Sequence, residues 1–193
     1  VDGISIGPLR KGFVGMDKHS HIPTFSGGRF DIIDPQTWMV NIQDMAQGLS
    51  NLCRFNGQTS TFYSVAEHSV IVHDLLKSKH GKGDISYAGL WHDGHEAYTG
   101  DVSKHLKALL PEYRKIENRV AAVVRSALDI TWDSDIAREV KWADNIAARA
   151  EGDFLMKMDG QDWDWGGADL VPVPIVPYVP HAARTLFLHT YEE

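Results

Sequence analysis

Four side chains of the kind that ligate metals lie inside apolar helical segments of this chain, and that combination limits the folds open to it. His92 and Asp93 are adjacent in Leu90-Trp91-His92-Asp93-Gly94-His95-Glu96-Ala97-Tyr98-Thr99-Gly100-Asp101. His68 lies in Val65-Ala66-Glu67-His68-Ser69-Val70, and Asp144 in Val140-Lys141-Trp142-Ala143-Asp144-Asn145. Burying a neutral imidazole or an ionised carboxylate is costly unless something satisfies it, and one divalent cation does so for all four at once. The expected fold therefore brings three helical segments to one interior point, with a metal site there.

Periodicity places those segments. Asn41 caps a helix on which Ile42, Met45, Ala46, Leu49 and Leu52 recur at intervals of three and four, with Asp44 in its first turn and an end near Arg54. Arg54 to Thr61 is polar and carries a turn signal at Asn56-Gly57, so it reads as a loop able to touch a ligand. From Tyr63 to about Lys79, Val65, Ser69, Val72, Leu75 and Leu76 trace a face that includes His68, which points inward. Asp84 is expected to cap a helix carrying Ile85, Ala88, Trp91, His92 and Glu96. His92 and Glu96 then share a face, with Asp93 about 100° round from His92, while Gly94 and Gly100 weaken the helix and permit close approach by another backbone.

Pro111 opens a further helix with Tyr113, Ile116, Val120, Val123 and Ala127 on its apolar side and Arg114, Glu117 and Arg125 away from it. Ser134 or Asp135 starts the next, on which Ile136, Val140, Ala143, Ala147 and Ala150 form a stripe with Asp144 at its margin. A closing helix is expected from Pro180 to Tyr191. Residues 1–40 are rich in Gly and Pro and read as turns with a short hairpin. His19 and His21 within them are alternate residues of a strand face, open to reading as a metal pair or as exposed loop histidines. Residues 159–180 hold Trp163, Trp165, Gly166, Gly167 and four prolines from Pro172 to Pro180, which suits an extended covering loop.

With 193 residues and 43% hydrophobic content, the chain suits one domain over 1–193 with one substantial core. A formal charge of -7 and a pI near 5.8 argue against a nucleic-acid surface that works mainly through phosphates. Cys53, the sole cysteine, cannot form an internal disulfide and is expected to be buried. No apolar run approaches the ~18 residues that span a bilayer. The first residues are too polar and Gly-rich to read as a signal peptide, and the expectation is a soluble cytoplasmic protein.

The order His68, His92-Asp93, Asp144, together with the strings Tyr63-Ser64-Val65-Ala66-Glu67-His68-Ser69 and Glu96-Ala97-Tyr98-Thr99-Gly100-Asp101, resembles the HD-domain superfamily of metal-dependent phosphohydrolases over about residues 41–155. The resemblance implies an all-α HD-domain helical bundle, with an irregular N-terminal segment and a Pro-rich C-terminal covering loop. It also implies one divalent ion (Co²⁺, Mn²⁺, Zn²⁺ or Mg²⁺) bound by His68, His92, Asp93 and Asp144. Glu96 matches the acidic residue that orients the attacking water in the family, and Asp101 a second acidic position of that kind; a solvated carboxylate and a helix cap are the structural alternatives. Arg54 matches an arginine that precedes the first ligand histidine, where a guanidinium fork suits phosphate oxygens. Lys107 and Lys141 fall where triphosphate-cleaving relatives carry phosphate-binding lysines, although either also reads as a surface lysine. Phe55 stands where some deoxynucleotidases carry a tryptophan against the sugar, and His95 reads as solvent-facing.

The implied activity is hydrolysis of a small-molecule deoxynucleotide at its phosphate end. Three candidate cations favour a deoxynucleoside triphosphate triphosphohydrolase, with dATP as a candidate substrate; the alternative is a 5'-deoxynucleotidase acting on monophosphates. A diiron oxygenase on the same scaffold needs two further histidines on successive helices before Asp144, where only His95 and His105 occur. A non-catalytic nucleotide-binding module is expected to have lost a ligand. By the same resemblance the protein is expected to be a homo-oligomer, without a stable nucleic-acid or membrane partner.

Overall fold

The computed structural model of the protein describes residues 20–156, 167 and 171–193. Among them the chain is mostly helical, with one two-stranded hairpin, in keeping with the all-α expectation. His19, Trp163, Trp165 and Gly166 lie outside the described residues.

The hairpin pairs β1 (His21–Pro23) antiparallel with β2 (Arg29–Asp31), Ile22 opposite Phe30. Phe30 is fully buried and stacks on Tyr98 with ring centroids 3.7 Å apart. The turn is tied down as well, since the Ser26 N–H and hydroxyl donate to the Asp44 carboxylate at 2.6 and 2.8 Å. His21 is not the exposed loop histidine of the sequence reading, because its ring packs inside the hairpin 3.5 Å from Asp31.

Helix α1 (Ile42–Asn51) starts on Asn41, whose side chain accepts from the N–H groups of Gln43 and Asp44. It stops at Asn51, short of Arg54, because Leu52 turns extended and its carbonyl accepts from Val65 N–H, leading into a bridge between Cys53 and Ser64. Cys53 is only partly buried. Helix α2 (Val65–His80) opens on a reciprocal cap: Ser64 Oγ accepts the Glu67 N–H, and the Glu67 carboxylate accepts from the Ser64 N–H and hydroxyl. It is the axis of the molecule, packing against α1, α3 (Asp84–Leu90), α7 (Ser134–Leu155) and α8 (Pro180–Glu192).

The helix expected from Asp84 through Glu96 is broken. It ends at Leu90, residues 91–95 form turns, and α4 (Glu96–Thr99) begins afresh. Through the break the backbone bonds tighten to a three-residue step, as in Gly94 N–H to Trp91 O and Glu96 N–H to Asp93 O, both 2.9 Å. Gly94 makes room for the Met45 side chain and the Trp91 carbonyl, since a Cβ would lie 2.8 Å from Met45 Cε and 3.0 Å from Trp91 O. Gly100, at φ +82°, ends α4 in the left-handed region with open space around it.

Short α5 (Lys104–Leu109) begins on Ser103, and α6 (Pro111–Ala127) has Pro in its first turn. Its buried face is Glu117, Val120 and Val124, so Glu117 points inward, contrary to the sequence reading, and Val123 is only partly buried. Helix α7 starts at Ser134, as expected, with Asp133 as its cap. Helix α8 lays Phe187, fully buried, edge-on against Trp91 at 4.9 Å. Burying a phenyl ring of this kind contributes about 1.5–3 kcal/mol and holds α8 beside the 91–95 turn. Residues 171–179, neither helix nor strand, precede α8, and the Tyr178 N–H donates to Glu67 Oε1 at 2.7 Å, docking this segment on the start of α2. No helix among the described residues is long and apolar enough to cross a membrane.

Candidate metal centre

His68 sits in the first turns of α2 with no exposed surface. Its Nδ1 lies 2.8 Å from Glu151 Oε1, and its Nε2 lies 3.2 Å from Asp144 Oδ1 and 3.8 Å from Asp93 Oδ2. His92, in the 91–95 turn, sets Nδ1 2.8 Å from the Gly89 carbonyl and Nε2 3.1 Å from Asp93 Oδ2. Each Nδ1 thus faces an acceptor and donates to it, so that in the neutral ring each Nε2 holds the lone pair. Both Nε2 atoms are buried without a hydrogen-bond partner. Donors about 2.1 Å from a shared ion lie roughly 3–4 Å apart, so these separations suit a common metal. The ligand-type atoms of His68, His92 and Asp93 all fall within 4.8 Å of one another. The four residues singled out in the sequence therefore meet, from α2, the α3–α4 turn and α7. The break in the helix, rather than a continuous helical face, is what aims His92 and Asp93.

Electrostatics separate the carboxyls. Burial pushes the Asp93 carboxyl up, but His92 and His68 beside it hold it well below the usual range. Asp144 is likewise lowered against burial, chiefly by its contact with His68. Glu96, only 4% exposed, goes the other way: burial raises it well above the usual range, Asp93 and Asp101 add to the rise, and Lys107 and Arg54 oppose it. Asp101, half-buried after α4, is raised by burial with Arg54 opposing. Carboxyls forced apart in this way divide into ionised groups and a proton holder. Burial and the Arg54 charge depress His68, but the carboxylates of Glu151 and Asp144 prevail and push it up to about 9.

The three cations are all engaged. Arg54 donates through Nε and Nη2 to Glu151 Oε2 at 3.1 and 2.9 Å, and its guanidinium lies 5.1 Å from the centre of the Phe55 ring. Phe55 and Asn56 both have φ near +52°, with Gly57 at +73°, so the turn read at Asn56-Gly57 begins one residue earlier. A left-handed phenylalanine costs roughly 1–2 kcal/mol. Lys107 reaches Glu117 Oε1 at 2.5 Å and Glu96 Oε1 at 3.5 Å. His95 is not solvent-facing: its side chain is 11% exposed, with Nε2 3.4 Å from Glu117 Oε1. Lys141 lies outermost, 67% exposed, bound to Asp144 Oδ2 at 2.8 Å.

Two carboxylates escaped the sequence reading. Glu151 follows Asp144 by seven residues, two helical turns along the same face, so its position next to the alanine stripe was a usable signal. Glu117 stands three before Val120 and seven before Val124, but its charged neighbours made it look solvated.

No family model matches the chain. It is 33% identical over 180 residues to the uncharacterized protein YfdR of Escherichia coli K12, covering 90% of this chain and 95% of that protein. It is 37% identical over 137 residues to an uncharacterized protein of Rhodobacter capsulatus, covering 67% of this chain and 70% of the other.

Proposed function

This chain belongs to the same family as Escherichia coli YfdR, and from the buried cluster at its centre we propose that it is a divalent-metal-dependent phosphohydrolase of the HD-domain type acting on deoxynucleotides. The observation that carries the reading is the pair of buried, unpartnered nitrogens, His68 Nε2 and His92 Nε2, converging with Asp93 and Asp144. Held by these four residues, a divalent ion (Co²⁺, Mn²⁺, Zn²⁺ or Mg²⁺) supplies Lewis acidity, lowers the pKa of water and offsets phosphoryl charge.

The chain's own residues divide the remaining work. Glu96, whose basicity burial raises, takes a proton from the attacking water in its ionised form and returns that proton to the departing ester oxygen. Asp101, the other raised carboxyl, orients that water. Arg54 keeps further donors beyond the two given to Glu151, and these meet phosphoryl oxygens. Phe55, beside the guanidinium, offers a ring to the sugar. His95, Glu96 and Glu117 also bring ligand-type atoms within 4.8 Å of one another, but Lys107, 3.5 Å from Glu96 and 2.5 Å from Glu117, already supplies positive charge there, and this supports one ion over two.

The leaning toward a triphosphate counted Arg54, Lys107 and Lys141 as cations for phosphate. Each now has a carboxylate partner at 2.9 Å or less. A monophosphate adds about -1.5 to -2 charges and a triphosphate considerably more, so these pairings favour a 5'-deoxynucleotidase. The triphosphohydrolase is the second reading, favoured by the exposure of Lys141, which is free to swing from Asp144 to a distal phosphate. Release of orthophosphate or triphosphate from a panel of deoxynucleoside mono-, di- and triphosphates, with Co²⁺, Mn²⁺ or Mg²⁺, tests this. Orthophosphate from monophosphates, lost in Asp93→Ala, is the expected result; triphosphate release selects the second reading, and no release from any nucleotide sinks both.

A further inference from the structure

A carboxylate with no exposed surface is costly unless donors reach both of its oxygens, and Glu151 on α7 is such a group. Its Oε1 accepts from His68 Nδ1 at 2.8 Å, while its Oε2 accepts from Arg54 Nε at 3.1 Å and Nη2 at 2.9 Å. One oxygen therefore serves the imidazole whose other nitrogen faces Asp93 and Asp144, and the other serves the arginine of the 54–57 turn.

We infer that Glu151 is a positioning residue that couples the metal centre to the phosphate-binding arginine. It holds His68 in the Nδ1–H form, so that Nε2 keeps its lone pair toward the cluster. With its second oxygen it fixes the plane of the Arg54 guanidinium, so that a carboxylate of one α7 turn sets both groups. A ligand imidazole that loses such an acceptor gains freedom to rotate and to change tautomer, and metal affinity falls as a result. The inference rests on the reading of His68 as a metal ligand.

A purely structural ion pair would matter only to folding, so the test reads metal binding in folded protein. Co²⁺ alone is titrated into the full chain, with heat and visible absorption as readouts, for the unaltered protein, Glu151→Gln, and Glu151→Gln combined with Arg54→Met. The double variant removes both buried charges, so neither is left unpaired. Co²⁺ binding 10–100-fold weaker in both variants, with an altered visible spectrum and an unchanged helical circular dichroism signal in the double variant, is the expected result. A folded double variant with the parent affinity and spectrum overturns the positioning role while leaving the metal reading intact. An unaltered protein that takes up no Co²⁺ overturns the metal reading and this inference with it. One measurement needs no variant: in the Zn²⁺-loaded protein, ¹⁵N-histidine spectra should give His68 protonated at Nδ1, and protonation at Nε2 overturns the inference.

Discussion

Loading a divalent ion beside His68 must expel a proton at neutral pH. In the metal-free protein the carboxylates of Glu151 and Asp144 outweigh burial and push His68 up to about 9. Asp93 and Asp144, both held low, are already ionised near pH 7 and contribute no proton. The ion needs the Nε2 lone pair, so each pH unit below about 9 costs about tenfold in apparent affinity, or about 1.4 kcal/mol. Between pH 6.5 and 8.5 the affinity for Mn²⁺ or Co²⁺ should therefore rise by roughly 100-fold. Isothermal titration in two buffers of different ionisation enthalpy reports the proton count directly, and about one proton released per ion at pH 7 is expected. An affinity flat across this range, with no proton released, would refute the assignment of His68 as a ligand.

Stability of the metal-free protein should carry the same signature. The folded pKa of His68 lies above its ordinary 6.5, so its contribution is full below pH 6.5 and is lost as pH rises through 9. That contribution is of order 3 kcal/mol, so Tm should drop by about 6–12 °C over the interval, as read by circular dichroism. Lys107→Met removes a cation that opposes the rise of Glu96, so the acidic limb of the rate profile should move to higher pH. An unmoved limb would count against Glu96 as the group that takes the proton. Phe187→Ala should cost about 3–5 kcal/mol in urea unfolding, because the ring is fully buried against Trp91. Asn41→Ala should cost about 1 kcal/mol by loss of the α1 cap, measurable in the same experiment.

What the sequence made legible was local chemistry joined to a clear period. Asn41 as a cap, the Pro111 start of α6, the inward His68 and the closing helix from Pro180 all follow from capping rules and three-four spacing. What escaped it depended on tertiary contact. The break after Leu90 is invisible to periodicity, because Trp91, His92 and Glu96 still fit a helical face while Met45 packs where a Gly94 side chain would be. Glu117 and His95 read as surface groups because the contacts that enclose them are tertiary, Glu117 with Lys107 on a neighbouring helix and His95 with Glu117. Glu151 is 97 residues from Arg54 and 83 from His68 along the chain, so no local pattern could link the three.

The central claim, one divalent ion per chain driving phosphate-ester hydrolysis, is tested most directly by stripping the protein with a chelator and assaying orthophosphate release from deoxynucleoside monophosphates as Co²⁺ is returned. The account predicts no turnover in the stripped protein and activity that saturates at one equivalent per chain. Turnover that persists without metal, or that appears only at two equivalents, would contradict it.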